Sequence, residues 1–113
     1  MKRNLKLFLN DISKNIELID NSVKNISKKD FNSNGILVDA TIRRLEIIGE
    51  AVKNLPKDFR NRYSHIEWSD IAGFRDVVIH SYFAVDLDKV WNVIKDDLPK
   101  LKKDIESISE NNK

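Results

Sequence analysis

The chain has no cysteine, three glycines, two prolines and two histidines in its 113 residues. Without cysteine there is no disulfide, no thiol nucleophile and no thiolate zinc site. So few glycines and prolines cannot punctuate a protein of many short strands and turns. His65 and His80 are the only histidines and lie far apart in sequence, which argues against a histidine-rich metal site. Long apolar runs are missing too. The N-terminal "MKRNLKLFLNDISKN" is broken by charge too often for a signal peptide, and no later segment could span a membrane, so the expected compartment is the cytoplasm. Nor is there a large excess of one charge. Twenty Lys and Arg face 18 Asp and Glu, a net +2 that permits contact with nucleic acid without arguing for it.

What is present is 41% hydrophobic and 34% charged residues, the profile of a soluble, helix-rich protein. The length suits one domain, 1–113, with an expected ordered core of about residues 4–108. Leu5, Phe8, Ile12, Ile16, Ile19, Val23 and Ile26 recur every three or four residues and predict a first helix over about 4–27. "KKDFNSNG" (28–35) reads as a connection. The second helix, about 34–54, has one narrow polar strip of Asp39, Arg43, Glu46 and Glu50, and is apolar almost everywhere else. A helix with so little solvent face is either central to its own bundle or covered by a second chain. A homodimer is expected on that ground.

Residues 54–68 read as a loop with a short helical turn. Ser69 or Asp70 offers an N-cap for a third long helix, about 69–82. Asp86 offers a cap for the last, whose stripe runs Leu87, Val90, Trp91, Ile94, Leu98, Leu101, Ile105 and Ile108. Pro99 falls inside this helix, removes one backbone donor and should kink or weaken it. The tail "SENNK" is expected to fray. The fold class is all-α, an up-down bundle of four to five helices.

Function concentrates in "FRDVVIHSYF", Phe74 to Phe83. On a helical wheel Asp76 and His80 share one side, whereas Arg75 projects about 140° from His80, beside Tyr82. Arginine's length, or a helix ending near His80, could still bring the groups together, and Gly73 beside His80 leaves room for a close approach. Histidine exchanges protons near neutral pH, arginine grips phosphate with paired donors, and an Asp four residues before a His can orient the ring. An Arg and a His at one phosphate suffice for metal-free RNA cleavage. The base draws a proton from a 2′-hydroxyl, its oxygen attacks phosphorus, and Arg stabilises the growing charge. The leaving oxygen needs an acid, and a two-fold dimer would supply the second histidine. The competing reading takes the same residues as surface and capping groups of a helix.

"IRRLEIIGEAVKNLP", "WSDIAGFRDVVIHSYFAVDLDKVW" and "IKDDLPKL" resemble the HepT-like HEPN-domain proteins, from about Leu7 to Ile108. The resemblance implies a dimeric HEPN bundle whose two R-x-x-x-x-H motifs line a shared cleft. It implies a metal-independent endoribonuclease, usually the toxin of a toxin–antitoxin pair neutralised by a small nucleotidyltransferase. Carried over, Arg75 and His80 become the catalytic pair and Asp76 the supporting polar residue. Tyr82 becomes the candidate acceptor of AMP from the antitoxin. No cofactor, metal or membrane partner is implied. The alternative is a non-catalytic HEPN module that binds a nucleotide or the nucleotidyltransferase.

Other residues read more plainly. His65 is expected to be a solvated or capping loop residue, Trp68 and Trp91 to be packing residues, and Asp96–Asp97 a solvated face. Arg60, Arg62, Lys100, Lys102 and Lys103 could form a basic rim for phosphates. Arg44 falls inside the apolar arc of the second helix, where it must snorkel or pair with an acid, with the dimer interface preferred.

Overall fold

The computed structural model describes residues 3–74 and 86–111. Among them there are helices and connections and no strand, as the 3.6-residue periodicity requires. The first helix, α1 (Arg3–Val23), buries Leu9, Ile12, Ile16, Ile19 and Val23 along one stripe. It stops earlier than the periodicity predicts. Asn25 takes a positive φ of 65°, a left-handed conformation that asparagine tolerates better than most residues, and Ile26 packs on the core from beyond the helix.

The stretch expected to be only a connection contains a short helix, α2 (Lys28–Asn32). Ser27 caps it by accepting a hydrogen bond from the Asp30 N–H at 3.0 Å, and Phe31 is its fully buried anchor. Asn34 then caps the long α3 (Gly35–Lys53), accepting from the Leu37 N–H at 3.1 Å. α1 packs along α3, and this pair forms the centre of the molecule. Thr41, buried in α3, donates back to the Leu37 carbonyl at 2.8 Å, and buried Asn15 of α1 donates to the Asp11 carbonyl at 2.8 Å. Both polar side chains are therefore satisfied within their own helices.

Two short helices follow, α4 (Lys57–Arg62) and α5 (Trp68–Ala72). Phe59 holds their connection together, with ring centroids 5.1 Å from Tyr63 and 6.2 Å from Trp68. The Trp68 indole N–H donates to the Tyr63 carbonyl at 3.1 Å, so this tryptophan is a packing residue as expected. α5 starts one or two residues before the expected caps. Glu67 occupies the cap position without a side-chain hydrogen bond.

Asp86 does cap the last helical rod, accepting from the Asp88 and Lys89 N–H groups at 3.1 and 3.2 Å. The rod runs through α6 (Leu87–Asn92), a π turn (Val93–Asp97) and α7 (Leu98–Asn111). The π turn is how the chain absorbs Pro99. An α-helical proline would press its ring on the carbonyl four residues back and leave that carbonyl without its donor. Widening the preceding turn lets the Leu98 N–H reach the Val93 carbonyl, five residues back. The stripe from Val90 to Ile108 stays buried across the widened turn.

Candidate functional site

Arg75, Asp76, His80 and Tyr82 lie outside the described residues, and the structure fixes the two ends between which they are strung. At one end Phe74 is buried in the core directly after α5, which packs on α3. At the other, Asp86 caps α6. The motif thus begins one residue after an apolar anchor and finishes before a capped helix start. Gly73, expected to leave room beside His80, is crowded from its own side. A Cβ there would stand 3.2 Å from the Asp70 carbonyl oxygen and 3.4 Å from that of Ser69.

Two cavities flank α5, and they differ in charge. The first, about 320 Å³, lies between α5, the π turn and α7. Its floor is apolar, with Ile66, Ile71, Phe74, Val93 and Leu101, and its rim carries Glu67, Asp70, Asp97, Asp104 and Lys100. A hydrogen bond that protonated Glu67 donates to Asp70, and then the negative charge of Asp70, raise the Glu67 pKa above the usual carboxylate range, with Lys100 opposing. Asp97 is also raised, first by partial burial of its carboxyl and then by Asp96 and Asp70, with Lys100 again opposing. Asp96 and Asp97 are both exposed, as expected of a solvated face, and Asp97 also lines this rim. The π turn brings it to a rim already holding negative charge.

The second cavity, about 440 Å³, lies between α4 and the start of α5. Lys57, Arg60, Asn61, Ser64 and Ser69 line it, and Ile66, Glu67 and Asp70 form the wall it shares with the first. The Arg60 Nε is buried and has no hydrogen-bond partner. Leaving a buried donor unpaired costs about 1–3 kcal/mol, so this orphan stands out against the satisfied core.

The remaining sequence candidates separate in space. Lys100 belongs to the acidic rim, while Lys102 reaches Asp20 of α1 at 3.6 Å. Arg60 lines the second cavity, Lys100 the first, and Lys102 faces α1, so these three do not share one rim; Arg62 and Lys103 are exposed. His65 is exposed, with its ring centroid 6.5 Å from that of Tyr63 in an edge-on arrangement. Trp91 packs on Phe31 at 5.4 Å with the Lys95 ammonium over its ring. Arg44, for which the dimer interface was the preferred place, makes hydrogen bonds within the chain. Its guanidinium donates to the Leu18 carbonyl and the Ser22 hydroxyl of α1, both at 3.3 Å. Near the end of α1 that positive charge also meets the negative end of the helix.

Among the described residues no group of three His, Asp or Glu is placed to hold a metal ion, and no helix is long and apolar enough to cross a membrane. Sequence reasoning missed the carboxylate cluster and the orphaned Arg60. The Glu67-x-x-Asp70 spacing was a visible signal for part of the cluster. Asp97 joins it through the π turn, which no local pattern announces.

Comparison with known proteins places these features in a family context. The family described as "Ribonuclease HepT-like" matches residues 12–108. A "Gamma-glutamylcyclotransferase and putative RNase" of Methanocaldococcus jannaschii is 49% identical over 110 residues. That match covers 97% of this chain and 50% of the relative, so the chain spans half that protein's length. A "Probable ribonuclease HepT" of Thermococcus cleftensis is 44% identical over 108 residues, covering 96% of this chain and 98% of the relative. A "Putative RNase" of Caldanaerobacter subterraneus is 43% identical over 106 residues, covering 94% and 95% respectively. No solved structure matches.

Proposed function

Because the chain belongs to the ribonuclease HepT-like family, we propose that it is a metal-independent endoribonuclease acting at a cleft shared by two copies. The observation that carries this reading is the family match itself, which runs from residue 12 to 108 and contains the whole Arg75–Tyr82 motif. In the proposed reaction His80 takes the proton of a ribose 2′-hydroxyl and the freed oxygen attacks the adjacent phosphorus. The bond to the 5′-oxygen breaks, and His80 of the partner subunit returns a proton to that leaving group. Arg75 holds the non-bridging oxygens as their charge grows, and Asp76 orients the imidazole. The products are a 2′,3′-cyclic phosphate and a 5′-hydroxyl.

A second copy is supported by α3. Ile36 is 86% exposed in the single chain, and Leu37, Ala40, Ile42 and Ile47 are only partly covered. A two-fold partner on this helix would remove that apolar surface from water. The cellular role that fits is a toxin neutralised by a nucleotidyltransferase antitoxin. Transfer of AMP from ATP to the Tyr82 hydroxyl, with release of pyrophosphate, would place a phosphate charge and a purine in the path of an RNA backbone.

The test is RNA cleavage by purified protein in EDTA, wild type beside His80→Ala, with product ends identified chemically. Wild-type cleavage to cyclic phosphate and 5′-hydroxyl ends, reduced at least 100-fold in the variant, is the expected result. A dimeric, unmodified wild type that leaves RNA intact but binds a nucleotidyltransferase would replace this reading with that of a non-catalytic HEPN module. A strictly monomeric protein would remove the shared-cleft mechanism.

A further inference from the structure

The cavity between α4 and α5 is lined mostly by polar side chains. It gathers the Lys57 ammonium, the Arg60 guanidinium, the Asn61 amide and the hydroxyls of Ser64 and Ser69, all hydrogen-bond donors, around one space of about 440 Å³. Its arginine keeps a buried N–H without a partner. The ion pairs seen among the described residues, Lys28–Asp88 and Lys102–Asp20, involve neither Lys57 nor Arg60. Glu67 and Asp70 also line the cavity, but they form the wall shared with the acidic cavity and hydrogen-bond each other. A small anion with several acceptor oxygens would complement the remaining lining.

We propose that this cavity is a phosphate subsite for an RNA strand, in which Arg60 and Lys57 hold a backbone phosphate beside the one cut at the motif. The inference rests on the nuclease reading and adds to it the path of the substrate. Ser69 lines the cavity, and Phe74, which immediately precedes Arg75, follows it by five residues across the C-cap of α5 at Gly73. A strand entering over α4 would meet donors first and then the start of the motif, with the acidic cavity on the far side of α5 turning it away. Contacts of this kind set register without reading base identity, so the subsite adds affinity and not sequence preference.

Trp68 lines the cavity and Trp91 packs elsewhere, on Phe31. In a Trp91→Phe background the remaining indole therefore reports occupancy of the cavity. The experiment titrates this protein with inorganic phosphate and with a short single-stranded RNA made uncleavable by 2′-O-methyl groups, at several salt concentrations. Both probes are expected to change Trp68 emission saturably. Arg60→Gln and Lys57→Gln should each lower the slope of log affinity for the RNA against log salt by about 0.7, and the double variant by about 1.4. Arg60→Lys, which keeps the charge and loses the forked donors, should keep the slope and bind more weakly.

RNA binding that leaves Trp68 unchanged, or slopes unaltered in the Gln variants, overturns the subsite even if RNA is still cut at Arg75 and His80. Absence of cleavage by the wild type, with the slopes changing as expected, counts against the nuclease and leaves the subsite standing. The two ideas therefore fail separately.

Discussion

In the α1–α3 half of the molecule every buried polar side chain has somewhere to go. Asn15 and Thr41 bond to their own helices, Arg44 ties α3 to α1, and isoleucines fill the space between. Around α5 the same chain is far less settled. Carboxylates crowd one cavity, an arginine N–H is orphaned beside the other, and a helix has widened to pass a proline. Local choices that cost stability gather around α5, and the α1–α3 half supplies the margin that tolerates them.

That division can be broken most forcefully at Phe31. The side chain is fully buried, anchors α2 and meets Trp91 on the last rod. Phe31→Ala should cost about 3–5 kcal/mol in urea denaturation, with an unchanged m-value. A loss below about 1 kcal/mol would show that α2 is not part of the core. Arg44→Met is the next largest. It keeps the apolar stem and deletes two long, half-exposed hydrogen bonds, so a loss of about 1 kcal/mol is expected from the same measurement. Full stability in this variant would place the residue's purpose outside the chain.

The unsettled end should respond with the opposite sign. The Asp97 pKa is raised above its ordinary 3.8, so the native state binds that proton more tightly than the unfolded chain does. Its favourable contribution is present at low pH and is lost as pH rises through the folded value. At pH 7 the ionised carboxylate is therefore a cost, and Asp97→Asn should stabilise the protein slightly. The gain should shrink as pH falls through the carboxylate range. A variant less stable than wild type at pH 7 would mean that the Lys100 attraction outweighs burial and the neighbouring acids.

How legible all this was depends on the range of the interaction. The apolar stripes of α1, α3 and the last rod, and the Asp86 cap, follow from spacing within a few residues, and they stand where periodicity puts them. α2 was hidden because five residues are too short to show a period, and its Phe31 looks like a loop residue until its distant partner Trp91 is known. The intrachain partners of Arg44 were hidden for a related reason. The wheel shows that it lies in an apolar arc, while its acceptors, a carbonyl and a hydroxyl on α1, carry no charge for the sequence to advertise. Of the candidate site, the motif is legible as a pattern of residues and lies outside the described ones, whereas the two cavities depend on how α4, α5 and the π turn meet.

The π turn has one more consequence. Closing a ring over five residues instead of four delays the helix by about one residue's rotation, about 100°. What would have been one face pointing in one direction becomes two faces on a single rod. Ahead of the turn, α6 addresses α2, through Trp91 on Phe31 and Asp88 on Lys28. Beyond it, α7 addresses α1, through Lys102 on Asp20. One proline thus lets a single helix serve as the wall for two neighbours that do not lie in the same plane, a swivel joint written into the backbone.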